Sequence, residues 1–274
     1  MTSAAAIESV PAPWTCKCDT YWLLFGSQSP LPADVYAPLE AQTSTFADPQ
    51  KAGKFQGGLG SIQIVRYSST PAGSYDELLL MPGAFEVPGT SGSFNRITRI
   101  YVSQKMTCYN AKSKGRRHWG IPKHLARFSF TKPPTSPSGQ GESLKVEVFP
   151  PDPSITTPFF TATLQPFQWL PSVPFTTKLM PYFGIETRAV QPPLPASSNP
   201  DEVELASSDH WFRILPRIYA ARTRGMWANV KRSQKSGEAV EEGGQSWWPD
   251  IQPWKVGVWL EDATLELGEP EILN

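Results

Sequence analysis

Lys123 stands in a mostly apolar segment that runs from Trp119 to Ala126. Two interpretations of this lysine are open. Its stem could lie along apolar neighbours while the ammonium stays in water. Alternatively, burial or an adjacent cation destabilises the ammonium and makes the neutral amine available as a nucleophile towards a carbonyl group. His124, or the basic pair Arg116 and Arg117, could supply such a charge.

Two further features bear on this chemistry. Glu77 follows Tyr75 at the start of an apolar run, where a carboxylate would ordinarily be a solvated group at a sheet edge. Arg116 belongs to a dense basic cluster between residues 112 and 117, which is consistent with a solvated loop or with a source of positive charge near Lys123. The residues alone leave both alternatives open.

Several classes of site are excluded by pattern. The chain has no GxGxxG after a strand, no GxxxxGK[ST], no GxSxG and no HExxH. Three Cys and three His in unsuitable spacings argue against a disulfide framework and a zinc site. We therefore expect neither a metal nor another cofactor.

The net charge and the hydropathy of the chain limit which partners and which cellular compartment we expect. With 25 basic and 25 acidic side chains the formal net charge is zero, which argues against a nucleic-acid partner. No stretch approaches the roughly 18 apolar residues of a membrane helix, and the first ten residues lack the pattern of a signal peptide. We expect a soluble, cytoplasmic protein without a membrane partner, acting on a small molecule and possibly forming a homo-oligomer.

The elements that must position these residues are mainly strands. The 29 Pro and 20 Gly interrupt helices, and the aromatic content of 12% favours half-buried sheet surfaces. A short helix is predicted after Pro122, within residues 120–127. About ten strands separated by turns predict a largely antiparallel barrel with few short helices. The predicted strands are 14–25, 60–67, 75–81, 97–103, 126–131, 144–149, 158–164, 211–219, 225–231 and 255–267.

The distribution of these segments along the chain also predicts its domain organisation. Residues 1–13 are predicted to be a disordered lead, and residues 14–274 a single domain. Residues 26–58 are rich in Pro, Ser and Gly and are predicted to be loop.

The segment from Gly115 to Ala126 resembles the lysine motif of the acetoacetate decarboxylase-like superfamily. That motif has a Gly-Arg pair, an apolar residue, Pro, the Schiff-base lysine and then a second lysine. The segment from Gly73 to Leu78 is similar to the family's other signature, a strand that carries a glutamate just after a tyrosine. The resemblance is nearest to the fungal branch of the superfamily.

The resemblance implies roles for individual residues. Lys123 matches the nucleophile, Glu77 the carboxylate that faces the substrate, and Arg116 the arginine of the Gly-Arg pair. Arg116 would then bind a substrate carboxylate, or simply cap a loop. Candidate substrate-binding residues beside it are Tyr75, Trp119 and His124.

One position departs from the motif. His124 replaces the second lysine, and a histidine is mostly neutral at pH 7. Activation of Lys123 would then depend on desolvation by apolar neighbours such as Trp119 and Ile121.

The implied fold is a β-rich (α+β) acetoacetate decarboxylase-like barrel or cone, and the implied activity is that of a lyase. Lys123 would form a Schiff base with a keto acid or a related carbonyl compound, in decarboxylation, aldol or dehydration chemistry within fungal specialised metabolism. One alternative is a non-covalent cyclase, isomerase or pericyclase acting on a polyketide- or terpenoid-like substrate. Another is a ligand-binding protein without turnover, which an exposed Lys123 would favour.

Overall fold

The computed structural model describes residues 8–27, 29–112, 118–132, 143–199, 202, 204–205, 207–231 and 246–273. Within them the chain forms strands β1–β17 and helices α1–α4, together with two 3-10 segments, Ala33–Val35 and Thr177–Phe183. The strands are β1 Trp14–Gly26, β2 Phe55–Gly57, β3 Leu59–Ser69, β4 Tyr75–Met81, β5 Ala84–Glu86, β6 Ser93–Asn95, β7 Arg99–Val102, β8 Lys123–Leu125, β9 Arg127–Thr131, β10 Leu144–Phe149, β11 Phe160–Pro166, β12 Val173–Thr176, β13 Ala189–Gln191, β14 Trp211–Ile214, β15 Pro216–Lys231, β16 Val256–Leu267 and β17 Glu271–Leu273. The helices are α1 Pro38–Ala41, α2 Ser44–Ala47, α3 Pro49–Ala52 and α4 Lys105–Lys112.

A large curled sheet forms most of the molecule. Its strand order is β8-β7-β4-β3-β1-β16-β15-β11-β10-β9, with β12 also paired to β15. The edge strands β8 and β9 follow each other in the chain, separated only by Ala126, so the sheet curls into a nearly closed barrel. Its described pairings are antiparallel except for β7 with β8. The predicted β-rich barrel with few short helices is confirmed.

A second, smaller sheet has the order β17-β14-β13-β6-β5-β2.

Both faces of the central strands of the large sheet are buried. On β4, Leu79 belongs to one apolar cluster, and Leu78 and Leu80 to another. This alternation follows from the two-residue period of a strand. The first cluster also contains Ala189 and Ile214 of the small sheet.

The segment after Pro122 differs from its prediction. Instead of a helix, residues 123–125 form β8, which pairs in parallel with β7 through Ile100 and Lys123. Gly120 has a φ of +61°, outside the helical region, and the chain turns there into the extended strand. Pairing with β7 therefore outweighs the tendency of Pro122 to open a helix.

Other boundaries differ in smaller ways. Residues 26–58, predicted to be loop, contain α1–α3, one 3-10 segment and β2. The predicted strands 211–219 and 225–231 are divided differently, because β14 ends at Ile214 and β15 runs from Pro216 through both remaining parts. Among the described residues, no helix is long and apolar enough to cross a membrane.

The N-terminal lead is only partly described. Residues 1–7 lie outside the described residues. Beyond them, the Val10 amide donates to Asn110 Oδ1 at 2.6 Å, and Ala12 is buried. The extents of the predicted lead and of the single domain stay predictions.

Candidate functional site

Lys123 is buried at the edge of the large sheet. Only 6% of its surface is exposed, and β8 directs its side chain onto the same face as Glu77 of β4. Its Nζ atom lies 2.8 Å from Glu77 Oε2 and 3.2 Å from the hydroxyl of Tyr75. Of the two interpretations of Lys123, the structure therefore favours the buried one.

Glu77 is held by two tyrosines as well as by Lys123. The hydroxyl of Tyr67 lies 3.4 Å from Oε1, and that of Tyr75 lies 3.4 Å from Oε2. Tyr67 and Tyr75 face each other across β3 and β4, and their rings stack with centroids 4.4 Å apart. The carboxylate is thus fixed by three donors.

The tyrosine hydroxyls stay protonated near neutral pH. Burial, followed by the charge of Glu77, raises the pKa of both Tyr67 and Tyr75 well above the ordinary value. Both groups therefore act as hydrogen-bond donors to the carboxylate.

A cavity of about 400 Å³ opens beside this cluster. Lys123, Glu77 and Tyr67 form part of its wall, and Cys18 of β1 lies in the same wall. The remaining lining comes from both sheets and from residues 177–187, and much of it is aliphatic. A substrate in the cavity can therefore contact an amine, a carboxylate and a phenol, each on a buried side chain.

The four predicted substrate-binding residues do not share one environment. Tyr75 contacts Lys123 but lies outside the cavity lining. Trp119 packs edge-on against Trp14 at 5.2 Å, and its indole NH donates to the Gly268 carbonyl at 2.8 Å. It is a buried packing residue rather than part of the cavity wall. Arg116 lies outside the described residues.

His124 points away from the cavity. Successive side chains of a strand project to opposite faces, so His124 lies on the other side of β8 from Lys123. There its Nε2 atom is 2.8 Å from Oε2 of Glu40, a buried residue of helix α1. The residue that replaces the second motif lysine is thus turned away from the Lys123 amine, whose ion-pair partner is Glu77 at 2.8 Å.

Tyr67 and Cys18 are among the lining residues that the sequence does not point to. The register of β3 against β4 brings Tyr67 to Glu77, and this register cannot be predicted from the sequence alone. Cys16 and Cys18 are two residues apart on β1, so they lie on the same face of the strand, and both are buried. Burial, partly offset by Lys123, raises the pKa of Cys16 to about 12, so this thiol is a poor nucleophile near pH 7.

Comparison of sequences finds partial relatives. No family model matches the chain. It is similar to Protein NEOXANTHIN-DEFICIENT 1 of Oryza sativa subsp. japonica, with 35% identity over 74 residues that cover 27% of this chain and 22% of that protein. The Arabidopsis thaliana protein of the same name is 34% identical over 71 residues, covering 26% and 23%. The matches thus span less than a quarter of either plant protein.

Comparison of structures covers the whole chain. An acetoacetate decarboxylase-like enzyme from Sphingomonas wittichii RW1 has a TM-score of 0.56 at 10% identity, covering 100% of this chain and 97% of that one. The enduracididine biosynthesis enzyme MppR, complexed with the condensation product of pyruvate and imidazole 4-carboxaldehyde, has a TM-score of 0.52 at 12% identity. That similarity covers 99% of this chain and 92% of MppR. These similarities show that the fold is acetoacetate decarboxylase-like.

Proposed function

We propose that this protein is an enzyme that acts on a carbonyl compound through a Schiff base at Lys123. The observation that carries the proposal is the buried Lys123–Glu77 pair, 2.8 Å apart, in the wall of a cavity of about 400 Å³. The fold adds support, since a solved structure with the same fold contains a condensation product of pyruvate and an aldehyde.

The contacts of Glu77 support a proton-transfer role. Glu77 takes a proton from the Lys123 ammonium, and the freed amine attacks the substrate carbonyl carbon. The resulting carbinolamine loses its hydroxyl as water when Glu77 returns the proton, which leaves an iminium ion. Tyr67 and Tyr75 hold the carboxylate in place during both transfers.

The iminium ion then acts as an electron sink. In a decarboxylation, the bond to the carboxylate carbon breaks, carbon dioxide leaves and the electron pair forms an enamine. In an aldol step, loss of a proton from the α-carbon gives the same kind of enamine, which attacks a second carbonyl compound and forms a carbon–carbon bond. In a dehydration, the α-proton and then a β-hydroxyl group leave, together as water, which gives an unsaturated iminium ion. The enamine of the decarboxylation is instead protonated, and in each case hydrolysis of the iminium ion releases the product and regenerates the Lys123 amine.

A non-covalent isomerase or cyclase is the second candidate function. The observation that favours it is the direct contact of the Lys123 amine with Glu77 and Tyr75, which suits a fixed hydrogen-bond donor. The third alternative, ligand binding without turnover, would be favoured by an exposed Lys123, but Lys123 is buried.

Borohydride trapping tests the proposal. Incubation with pyruvate, acetoacetate or a neutral ketone, followed by reduction and peptide mass analysis, is expected to place a secondary amine on Lys123. Lys123→Arg should lose the adduct, since a guanidinium forms no imine. The exposed Lys255 provides an internal control for non-specific modification. Absence of any adduct, together with turnover retained in Lys123→Arg, would exclude the imine and favour the non-covalent candidate.

A further inference from the structure

The cavity wall beyond the reactive cluster is strongly apolar. Aliphatic and aromatic side chains from β1, β4, β16 and the segments before β7 and β8 face the cavity. Contact between an apolar wall and an apolar ligand removes both surfaces from water, which favours binding. The main contributors are Trp22, Leu79, Met81, Ile97, Ile121 and Leu265.

Charge in the cavity disfavours an anionic substrate. Among the described lining residues, Lys123 is the one cationic side chain, and Glu77 already neutralises it. Glu186 is also in the wall, and its partner Arg188, 2.6 Å away, is not a lining residue. A substrate carboxylate would thus be desolvated near two acidic groups without a cation of its own.

The apolar surface continues outwards from the cavity. Met180 and Ile185 line it, whereas Tyr182 and Phe183 between them are 85% and 75% exposed. Leu59, which also lines the cavity, is 47% exposed. A ligand longer than the cavity would therefore meet more apolar surface where it leaves the cavity.

We propose that the cavity takes an uncharged, elongated and mainly apolar ketone or aldehyde rather than a small keto acid. The carbonyl group of this ligand lies at Lys123, and its chain runs along the apolar wall towards Tyr182 and Phe183. The placement of the carbonyl group rests on the function proposed above. The preference for an apolar chain comes from the wall and does not depend on the imine.

Calorimetric titration with three probes tests this inference. 2-Nonanone is neutral, octanoate is an anion of similar length, and pyruvate is a small keto acid. We expect 2-nonanone to bind at least about tenfold more tightly than octanoate, which corresponds to about 1.4 kcal/mol, with pyruvate weakest. Tighter binding of octanoate or pyruvate, or no binding of 2-nonanone, overturns the inference.

A matched pair of variants locates the binding. Met81→Lys adds a cation to the cavity wall and should weaken 2-nonanone while strengthening octanoate. Val173→Lys makes a similar change at an exposed position outside the cavity, where 56% of the residue is accessible, and should leave both affinities unchanged. Equal effects of the two variants would contradict binding in this cavity.

The double variant Lys123→Met with Glu77→Gln separates the inference from the imine proposal. It removes both charges, so 2-nonanone should still bind while borohydride trapping is lost. If the ketone binds the native protein but is never trapped, the imine proposal fails and the substrate class stands. If pyruvate is trapped at Lys123 and binds more tightly than 2-nonanone, the substrate class fails and the imine stands. Loss of 2-nonanone binding in the double variant also overturns recognition by the apolar wall.

Discussion

Lys123 and Glu77 stabilise each other only as a pair. Their side chains are 7% and 5% exposed, so each charge has lost most of its hydration. The attraction between the two, with the hydroxyls of Tyr67 and Tyr75, offsets this desolvation. Removing one charge leaves the other buried without a partner of opposite sign. Removing both charges leaves no buried charge that needs a partner.

We therefore predict that Glu77→Gln lowers the free energy of unfolding by about 3–5 kcal/mol, the usual cost of breaking a buried ion pair. Adding Lys123→Met to Glu77→Gln should recover much of that loss. Urea denaturation of the single and double variants measures the coupling.

The half-exposed pair of Lys145 and Glu147 on β10 is the matched control, with its atoms 2.7 Å apart. Glu147→Gln should cost less than about 1 kcal/mol, because solvent screens an exposed pair. A cost for Glu77→Gln no larger than for Glu147→Gln would show that the buried pair is not coupled as described.

At the scale of elements, Gly120 fixes how the chain enters β8. Its φ is +61°, and a Cβ atom there would lie 2.5 Å from the ring of Phe212 in β14. The small sheet thus approaches the backbone just before Lys123, where only a glycine fits. The position of the lysine therefore depends on this contact as well as on pairing with β7.

Gly120→Ala is expected to lower the free energy of unfolding by about 2–4 kcal/mol, from the positive φ and the displaced Phe212 ring together. Gly89→Ala is the control, since Gly89 has a φ of +76° with open space around it. That change should cost only about 1–2 kcal/mol, the backbone contribution alone. Equal losses in chemical denaturation would mean that the Phe212 contact does not constrain β8.

The strands were the most predictable elements. Residues 75–81 and 144–149 have the predicted bounds, because the first contains an apolar run and the second alternates apolar and charged residues, each between turn-forming residues. The helix α4 was not predicted, since its buried face includes the polar Thr107 and Asn110 and does not give an apolar helical period.

The site was predictable only where a local motif carried it. Lys123, Glu77 and Tyr75 come together as the two motifs implied. Tyr67 reaches Glu77 through the pairing of β3 with β4, and cross-strand register is a tertiary property. Trp119 shows the converse, because proximity to Lys123 in sequence does not place its ring in the cavity.

At the scale of the whole molecule, the face of the large sheet around the site buries two thiols and two phenols in their protonated form. Burial is the main cause of the raised pKa at Cys16, Cys18, Tyr67 and Tyr75. The pKa of Cys16 rises from 9.0 to about 12. The folded protein thus keeps protons that the unfolded chain releases in alkaline solution.

Stability should consequently be unaffected by these groups below about pH 9 and fall as the pH rises above it. In that range the unfolded chain binds fewer protons than the folded one, so each rise in pH favours unfolding. Each thiol adds a slope approaching about 1.4 kcal/mol per pH unit once it is ionised in the unfolded chain.

The variant Cys16→Ala with Cys18→Ala isolates the thiol contribution. Between pH 9 and 10, below the range in which the tyrosines dominate, its free energy of unfolding should fall less steeply than that of the native sequence. Urea denaturation under reducing conditions at several pH values gives both slopes, and the difference between them cancels the groups that the two proteins share. Parallel slopes would mean that the two thiols ionise as readily in the folded barrel as in the unfolded chain, and that the sheet face beside Lys123 is accessible to water.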